Sequence, residues 1–255
     1  MELGLEGQVA LIFGASRGIG AASARALAGE GAVTALVART APDALAAELG
    51  ARAFATDMTS TAEVDRCVRD VHAAFGRIDM VIISAGAAQG GLFWELDDAV
   101  WQDAMELKYF GMMRVLRAVS PIMRDQGRGR IVAVVGNLAR QPGPRLMPGS
   151  AANAACLALL RGAAEELAPH GVHINAVNPG PTRTDRWTTL IGNLSRSAGR
   201  PAADVEAEQL AKIPLGRISE PEEIGRAVAM LASGALGPMT GASITIDGGM
   251  TKGII

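Results

Sequence analysis

Short apolar runs rich in β-branched residues recur along the chain, with longer helical patterns between them. The runs are Val9–Phe13, Val33–Ala38, Arg52–Thr56, Met80–Ile83, Arg130–Val135, His173–Val177 and Ser243–Ile246. Several are hydrophobic at nearly every position, which is the pattern of a parallel strand covered on both faces. Helical patterns fill the gaps, among them Gly20–Gly29, Thr61–Phe75, Trp101–Arg124 and Asn153–Ala168. Such alternation predicts right-handed crossovers and a parallel sheet. The chain has 255 residues, 49% of them hydrophobic, which suits one α/β domain with a full core. No internal repeat and no dividing linker is visible. The segment Arg186–Lys212 is polar, carries no strand pattern and follows Pro179-Gly180-Pro181, so it reads as a helical substrate lid near 186–212.

The first run leads into Gly14-Ala15-Ser16-Arg17-Gly18-Ile19-Gly20, and a helical pattern follows. Glycines here permit a tight turn, close approach of backbone to a pyrophosphate, and close packing of helix on strand. The helix N-terminus offers unpaired N–H groups and a partial positive charge to phosphate oxygens. The expected fold is therefore a single Rossmann-type doubly wound domain that binds a dinucleotide. The end of the second strand decides which one. A carboxylate there would hold the ribose 2′-hydroxyl of NAD(H), and an arginine accommodates the 2′-phosphate of NADP(H). This chain reads Val37-Ala38-Arg39-Thr40, and Arg17 in the first turn is a second candidate for the same phosphate. NADP(H) is the expected cofactor.

Composition removes other classes. The net charge of −2 gives no footprint for nucleic acid or an anionic membrane. Cys67 and Cys156 show neither metal spacing nor a disulfide framework, so no metal site is expected and a reducing cytoplasm fits. A strand pattern beginning by Val9 leaves no room for a signal peptide.

Taken together, these landmarks resemble the short-chain dehydrogenase/reductase superfamily over essentially the whole chain. Gly14 to Gly20 is similar to its cofactor turn. Asp57, followed by Met58, resembles its adenine-contacting aspartate. Ser84-Ala85-Gly86 stands where the superfamily has Asn-Ala-Gly. Asn178-Pro179-Gly180-Pro181-Thr182, with Thr184 beyond, resembles the motif that wraps the nicotinamide. Pro214-Leu215-Gly216-Arg217 and Ile246-Asp247-Gly248-Gly249 resemble its C-terminal landmarks. The resemblance implies a seven-stranded sheet ordered 3-2-1-4-5-6-7, a homotetramer or dimer, and an oxidoreductase acting on a small carbonyl or alcohol.

The superfamily's catalytic serine, tyrosine, lysine and asparagine are not matched. By local register the lysine position falls on Asn153, the tyrosine position on Gly149, the serine position on Gly136 and the asparagine position on Lys108. The only tyrosine is Tyr109, and no shift of register gives it a lysine four residues later. Lysine and asparagine thus look exchanged, with Lys108 supplying an ammonium near the nicotinamide and Asn153 the ribose contact. A divergent branch of the superfamily is similar in these replacements. Lys108 either donates the proton or is structural. Ser150 either positions a substrate oxygen or caps its helix. Asn137, Arg140, Gln141 and Arg145 fall on the loop where substrate would sit. His72, His170 and His173 read as structural. Three functions stay open: an NADP(H)-dependent oxidoreductase with atypical residues, a non-redox lyase or isomerase using Lys108, and a silent NADP(H)-binding sensor or subunit.

Overall fold

The computed structural model describes residues 2–84, 86 and 89–253, with only the backbone of Ser197. Seven parallel strands form one sheet in the order β3-β2-β1-β4-β5-β6-β7. They are β1 Val9–Phe13, β2 Val33–Ala38, β3 Arg52–Ala55, β4 Met80–Ile83, β5 Gly129–Val134, β6 Val172–Pro179 and β7 Ser243–Ile246. The central strands are apolar at every position because both faces are covered. The chain reverses between β1 and β4, where the crossovers pass to opposite faces. This is the switch point where ligands of such sheets sit, at the carboxyl ends of the strands.

Helices α1 Gly18–Gly29, α2 Asp43–Leu49 and α9 Pro221–Ala232 cover one face, with Leu27, Leu45 and Val228 in its core. The other face carries α3 Thr61–Phe75, α5 Gly111–Gln126 and α6 Met147–Leu167, with Val68, Val119 and Leu160 inside. Local chemistry sets several boundaries. Ser60 Oγ accepts the Glu63 N–H to start α3, and Gly76 closes it in a left-handed conformation. Glu220 caps α9, with Pro221 in the first turn and Glu223 reaching back to the Glu220 N–H at 2.8 Å.

The polar segment after β6 forms two helices, α7 Asp185–Ala198 and α8 Ala202–Leu210. Trp187 Nε1 donates to Glu206 Oε1 at 2.7 Å and ties them together. A small apolar cluster of Trp187, Ile191, Ile213 and Ile218 lies beneath them.

Two helices differ from expectation. The pattern Trp101–Arg124 is not continuous: α4 spans Asp98–Met105, a π turn occupies Glu106–Phe110, and α5 follows. One widened turn leaves the apolar periodicity on either side intact, so the pattern does not register it. Helix α6 begins at Met147, not Asn153. Its first turn contains Pro148, which tolerates a helix start because its missing N–H would have no partner there. Among the described residues, no helix is long and apolar enough to cross a membrane.

Helices α1 and α9 meet through glycine. A Cβ on Gly225 would lie 2.7 Å from the Ala22 carbonyl oxygen. Gly225→Val should therefore destabilise the fold by about 1–3 kcal/mol, seen as a lower urea midpoint with an unchanged slope.

Candidate active site

The glycine turn is held from both sides. The N–H groups of Gly14 and Ala15 donate to the Val37 carbonyl at 2.9 and 3.1 Å, which anchors the end of β1 to β2. Gly14 has φ 80° and Gly18 φ 56°, both in the left-handed region. A Cβ on Gly20 would sit 2.1 Å from the Gly14 carbonyl oxygen, so only glycine lets α1 start this close to the strand. The N-terminus of α1 has no side-chain cap and no acidic residue in its first turn. Its leading N–H groups are thus directed at the cleft, and the cradle fits a pyrophosphate. Ser16 and Arg17 lie exposed on its rim, and Ile19, in the first turn of α1, packs partly into the core.

Arg17 Nη1 lies 3.5 Å from Asp185 Oδ2 at the start of α7, and both side chains are more than three-quarters exposed (77% and 79%). Such a pair contributes little and is easily exchanged for another anion. Arg39 is exposed just beyond β2. Asp57 Oδ1 accepts the Thr59 N–H at 2.9 Å and the Thr59 hydroxyl at 2.8 Å. The Thr59 N–H chiefly holds the Asp57 carboxyl below the usual range, with Arg39 and Arg114 adding to it. Met58 is buried and touches the backbone side of Gly111, where a Cβ would meet Met58 Cβ at 3.3 Å.

At the far end of the cleft, the Ser84 N–H donates to the Phe13 carbonyl at 2.9 Å. Ala85 lies outside the described residues. Pro179 ends β6 and is buried. The Gly180 N–H donates to Ile246 at 2.9 Å, and a Cβ there would press on Asp247 Cβ at 2.5 Å. Thr182 Oγ1 donates to the Gly180 carbonyl at 3.1 Å and Thr184 Oγ1 to the Thr182 carbonyl at 3.4 Å. Thr184 also faces the pyrophosphate turn, its Cγ2 3.2 Å from where a Gly18 Cβ would be. The motif after β6 and the turn after β1 therefore form opposite walls of one cleft.

Lys108 lies in the π turn and is buried. Gly86 (φ 125°) packs directly on its stem, and a Cβ there would fall 2.6 Å from Lys108 Cγ. Lys108 Nζ reaches the Val135 carbonyl at 3.5 Å, a weak hydrogen bond. Burial, then the Arg186 guanidinium, lowers its pKa from 10.5 to about 8. The Lys108 carbonyl accepts from Cys156 Sγ at 3.5 Å, and burial pushes that thiol up to about 11, so it stays protonated. Asn153 is buried, and its Oδ1 has no hydrogen-bond partner among the described residues. Its Nδ2 fills the space over Gly136, where a Cβ would lie 2.9 Å away. Val135 and Gly136 are consecutive beyond β5, so Lys108 and Asn153 converge on one strand end.

Ser150 does not join them in the expected way. It is buried inside α6 and its hydroxyl donates to the Leu146 carbonyl at 2.9 Å, so its proton is committed to its own helix. The loop after β5 is also largely engaged in structure. Arg140 Nη2 donates to Ser243 Oγ at 2.9 Å, Gln141 Oε1 accepts the Lys252 N–H at 2.9 Å, and the Arg145 carbonyl accepts the Gly91 N–H at 2.9 Å. Asn137 Nδ2 donates to Asp247 Oδ2 at 3.4 Å. Tyr109 packs against the core and edge-on to Phe110, with centroids 5.1 Å apart.

The family model described as enoyl-(acyl carrier protein) reductase matches residues 14–251. The 2,3-dihydro-2,3-dihydroxybenzoate dehydrogenase of Bacillus subtilis is 32% identical over 259 residues, covering 98% of each chain. The 3-oxoacyl-[acyl-carrier-protein] reductase of Escherichia coli is 30% identical over 252 residues, covering 97% of this chain and 99% of the other. A crystal structure of L-sorbose reductase from Gluconobacter frateurii, complexed with NADPH and L-sorbose, superposes with a TM-score of 0.92 at 29% identity, covering 100% of both chains. The chain belongs to the short-chain dehydrogenase/reductase superfamily.

Two residues of this superfamily member escaped the sequence reading. Asp247 is buried, and its two oxygens accept from Gly249 N, Thr251 N, Thr251 Oγ1 and Asn137 Nδ2, which welds the end of β7 to the loop after β5. Its place in Ile246-Asp247-Gly248-Gly249 was the available signal. Arg186 stands in the first turn of α7, where its guanidinium helps to lower the Lys108 pKa, and had no signal beyond its position after the Pro-Gly turn.

A buried ammonium without a carboxylate partner opposes folding. Unfolded, the lysine has its ordinary value of 10.5, against about 8 when folded, so the unfolded chain binds the proton more readily between those values. The penalty is full below pH 8 and disappears as pH rises toward 10.5. Lys108→Met should therefore be more stable than the parent at pH 7 by about 1–3 kcal/mol. That advantage should shrink at pH 9.5, as read from paired urea titrations.

Proposed function

We propose that the chain is an NADP(H)-dependent oxidoreductase that interconverts a small carbonyl compound and its alcohol, with Lys108 moving the proton. One observation carries this reading: a buried ammonium, held at about pKa 8, stands at the strand end where the nicotinamide half of the cleft lies. The glycine cradle, the Arg39 side chain and the NADPH complexes among related structures support the choice of cofactor.

In this reading Gly14, Ser16, Arg17, Gly18, Ile19 and Gly20 seat the pyrophosphate, and Arg39 meets the 2′-phosphate. Asp57 and Met58 border the adenine. Ser84, Gly86, Pro179, Gly180, Thr182 and Thr184 flank the nicotinamide half. Asn153 Oδ1, buried without a partner, accepts from a ribose hydroxyl. NADPH, when bound, supplies the hydride that goes to the carbonyl carbon. The Lys108 ammonium gives its proton to the carbonyl oxygen and is re-protonated from solvent. Helices α7 and α8 act as the lid that excludes water from the cleft.

Purified protein should bind NADPH and oxidise it with some member of a carbonyl panel. Lys108→Met should lower kcat by about 10²–10⁴. The parent's reduction rate should fall as pH rises through about 8, where the ammonium is lost. Tight NADPH binding with no turnover across the panel would leave a sensor. Borohydride trapping of substrate on Lys108 without cofactor turnover would make it a lyase or isomerase.

The cofactor choice has its own test. A charge-assisted hydrogen bond contributes about 1.5–3 kcal/mol, so Arg39→Asp should weaken NADPH by about tenfold to a hundredfold. NADH affinity should hold or improve, measured by nucleotide fluorescence.

A further inference from the structure

A cavity of about 390 Å³ lies at the amino ends of the strands, the opposite edge of the sheet from the glycine turn. Arg77 and Asp79 reach it from just before β4, Arg128 from just before β5, Arg130 from β5 and His173 from β6. Register holds them in one row. Arg130 pairs with Met80 on one side and His173 on the other, and its N–H donates to the Asp79 carbonyl at 2.9 Å. The charges in this row do not balance. Asp79 is buried and satisfied: Oδ2 accepts the Val9 N–H at 2.9 Å, and Oδ1 accepts from the Arg77 guanidinium. Arg128 Nε stands 3.6 Å from the same carboxylate on an exposed side chain. Among the described residues, the half-buried Arg130 guanidinium has no ion-pair or hydrogen-bond partner, and the buried Arg77 Nε has none either. A Cβ on Gly234, just beyond α9, would lie 3.8 Å from Arg130 Nη2, so this guanidinium stands against the cavity wall. Burial correspondingly lowers the Arg130 pKa. No second carboxylate lines the cavity among the described residues. Glu6 lies over Gly31, and Asp125 pairs with Arg124 at 2.8 Å. Three guanidiniums against one carboxylate leave two positive charges in excess. Partly buried, they oppose folding until an anion meets them.

We propose that this cavity is a second ligand site, which binds the phosphate dianion of a small phosphorylated compound between Arg128 and Arg130. The excess charge matches a dianion, and a planar guanidinium meets phosphate oxygens in two parallel hydrogen bonds. The volume falls in the range of small-molecule sites, which leaves room for an organic body beyond the phosphate. His173, fixed by Nδ1 donating to the Met239 carbonyl at 3.3 Å, closes the β6 side. The site is separate from the cofactor cleft. Val135, at the Lys108 end of that cleft, follows Arg130 by five residues, about 17 Å at the rise of a strand.

The test titrates glucose 6-phosphate and inorganic phosphate into the full chain by calorimetry at fixed ionic strength, with chloride as the reference anion. At least one of the two should show binding that survives Arg17→Gln, a change confined to the rim of the cofactor cradle. Arg130→Gln should weaken that binding by about tenfold to a hundredfold, the loss expected for a charge-assisted hydrogen bond. Arg130→Lys should recover part of it, because the charge is kept and the fork is lost. Arg128→Gln alters an exposed side chain and should weaken binding by about threefold, which decides the matter should Arg130→Gln fail to fold. Tighter binding of glucose 6-phosphate than of phosphate makes the ligand a phosphate ester, and the reverse makes it the free ion. Binding no stronger than that of chloride overturns the proposal. So does binding that Arg17→Gln removes and that both Arg128→Gln and Arg130→Gln leave intact.

Discussion

The closest backbone approach in the molecule that the site depends on is between Gly14 and Gly20. Where a Gly20 side chain would begin, the Gly14 carbonyl oxygen is 2.1 Å away, so α1 can start only if that position is bare. The start of α1 in turn fixes three other things. Its body meets α9 at Gly225 under the Ala22 carbonyl, its first residue meets Thr184, and its cap residue Arg17 faces Asp185. The phosphate cradle, one helical layer and the origin of the helices over the cleft are therefore set by the same contact. A methyl group at residue 20 would disturb all of them together, which is why the turn is the least negotiable part of the chain.

The chemistry at the other end of the cleft is built from space. Gly86 and Gly136 adopt φ of 125° and 130°, a region that side-chain-bearing residues rarely enter. The room left over Gly136 is filled by the Asn153 amide, and the room under Gly86 by the Lys108 stem. The π turn is what brings Lys108 there, because a widened turn re-aims side chains relative to a regular helix. Among the described residues no carboxylate opposes the ammonium, and steric packing holds it in place. Its location is consequently firm while its charge is poorly compensated, an arrangement that lowers its pKa instead of merely storing a cation.

The central strands were readable because double coverage makes β1 and β4 apolar throughout, and the mainly apolar run Val33–Ala38 ends where the pattern ends. The glycine turn and the motif after β6 were readable because close backbone approach demands glycine at fixed spacing. Other features depend on tertiary neighbours. The early start of α6 hides behind Met147-Pro148-Gly149, which resembles a loop until Pro148 is seen to occupy a first helical turn. The π turn leaves no trace in periodicity. Arg140 looked free to meet a substrate, but Ser243 on β7, a hundred positions away in the chain, takes its guanidinium. Arg186 reads as one more polar residue in a polar segment, and its effect on the Lys108 charge belongs to the folded chain alone.

The only tyrosine, Tyr109, packs against the core, and in the proposed reading an ammonium rather than a phenol delivers the proton. A buried tyrosine gives up its proton against its environment, because burial favours the neutral phenol. A buried ammonium behaves in the opposite way. Giving up the proton leaves a neutral amine, which burial favours, and also removes the repulsion from Arg186. If Lys108 is the donor proposed above, the ground state carries the desolvation cost and proton transfer relieves it, so part of the folding penalty at Lys108 would be returned at the step where oxygen is protonated.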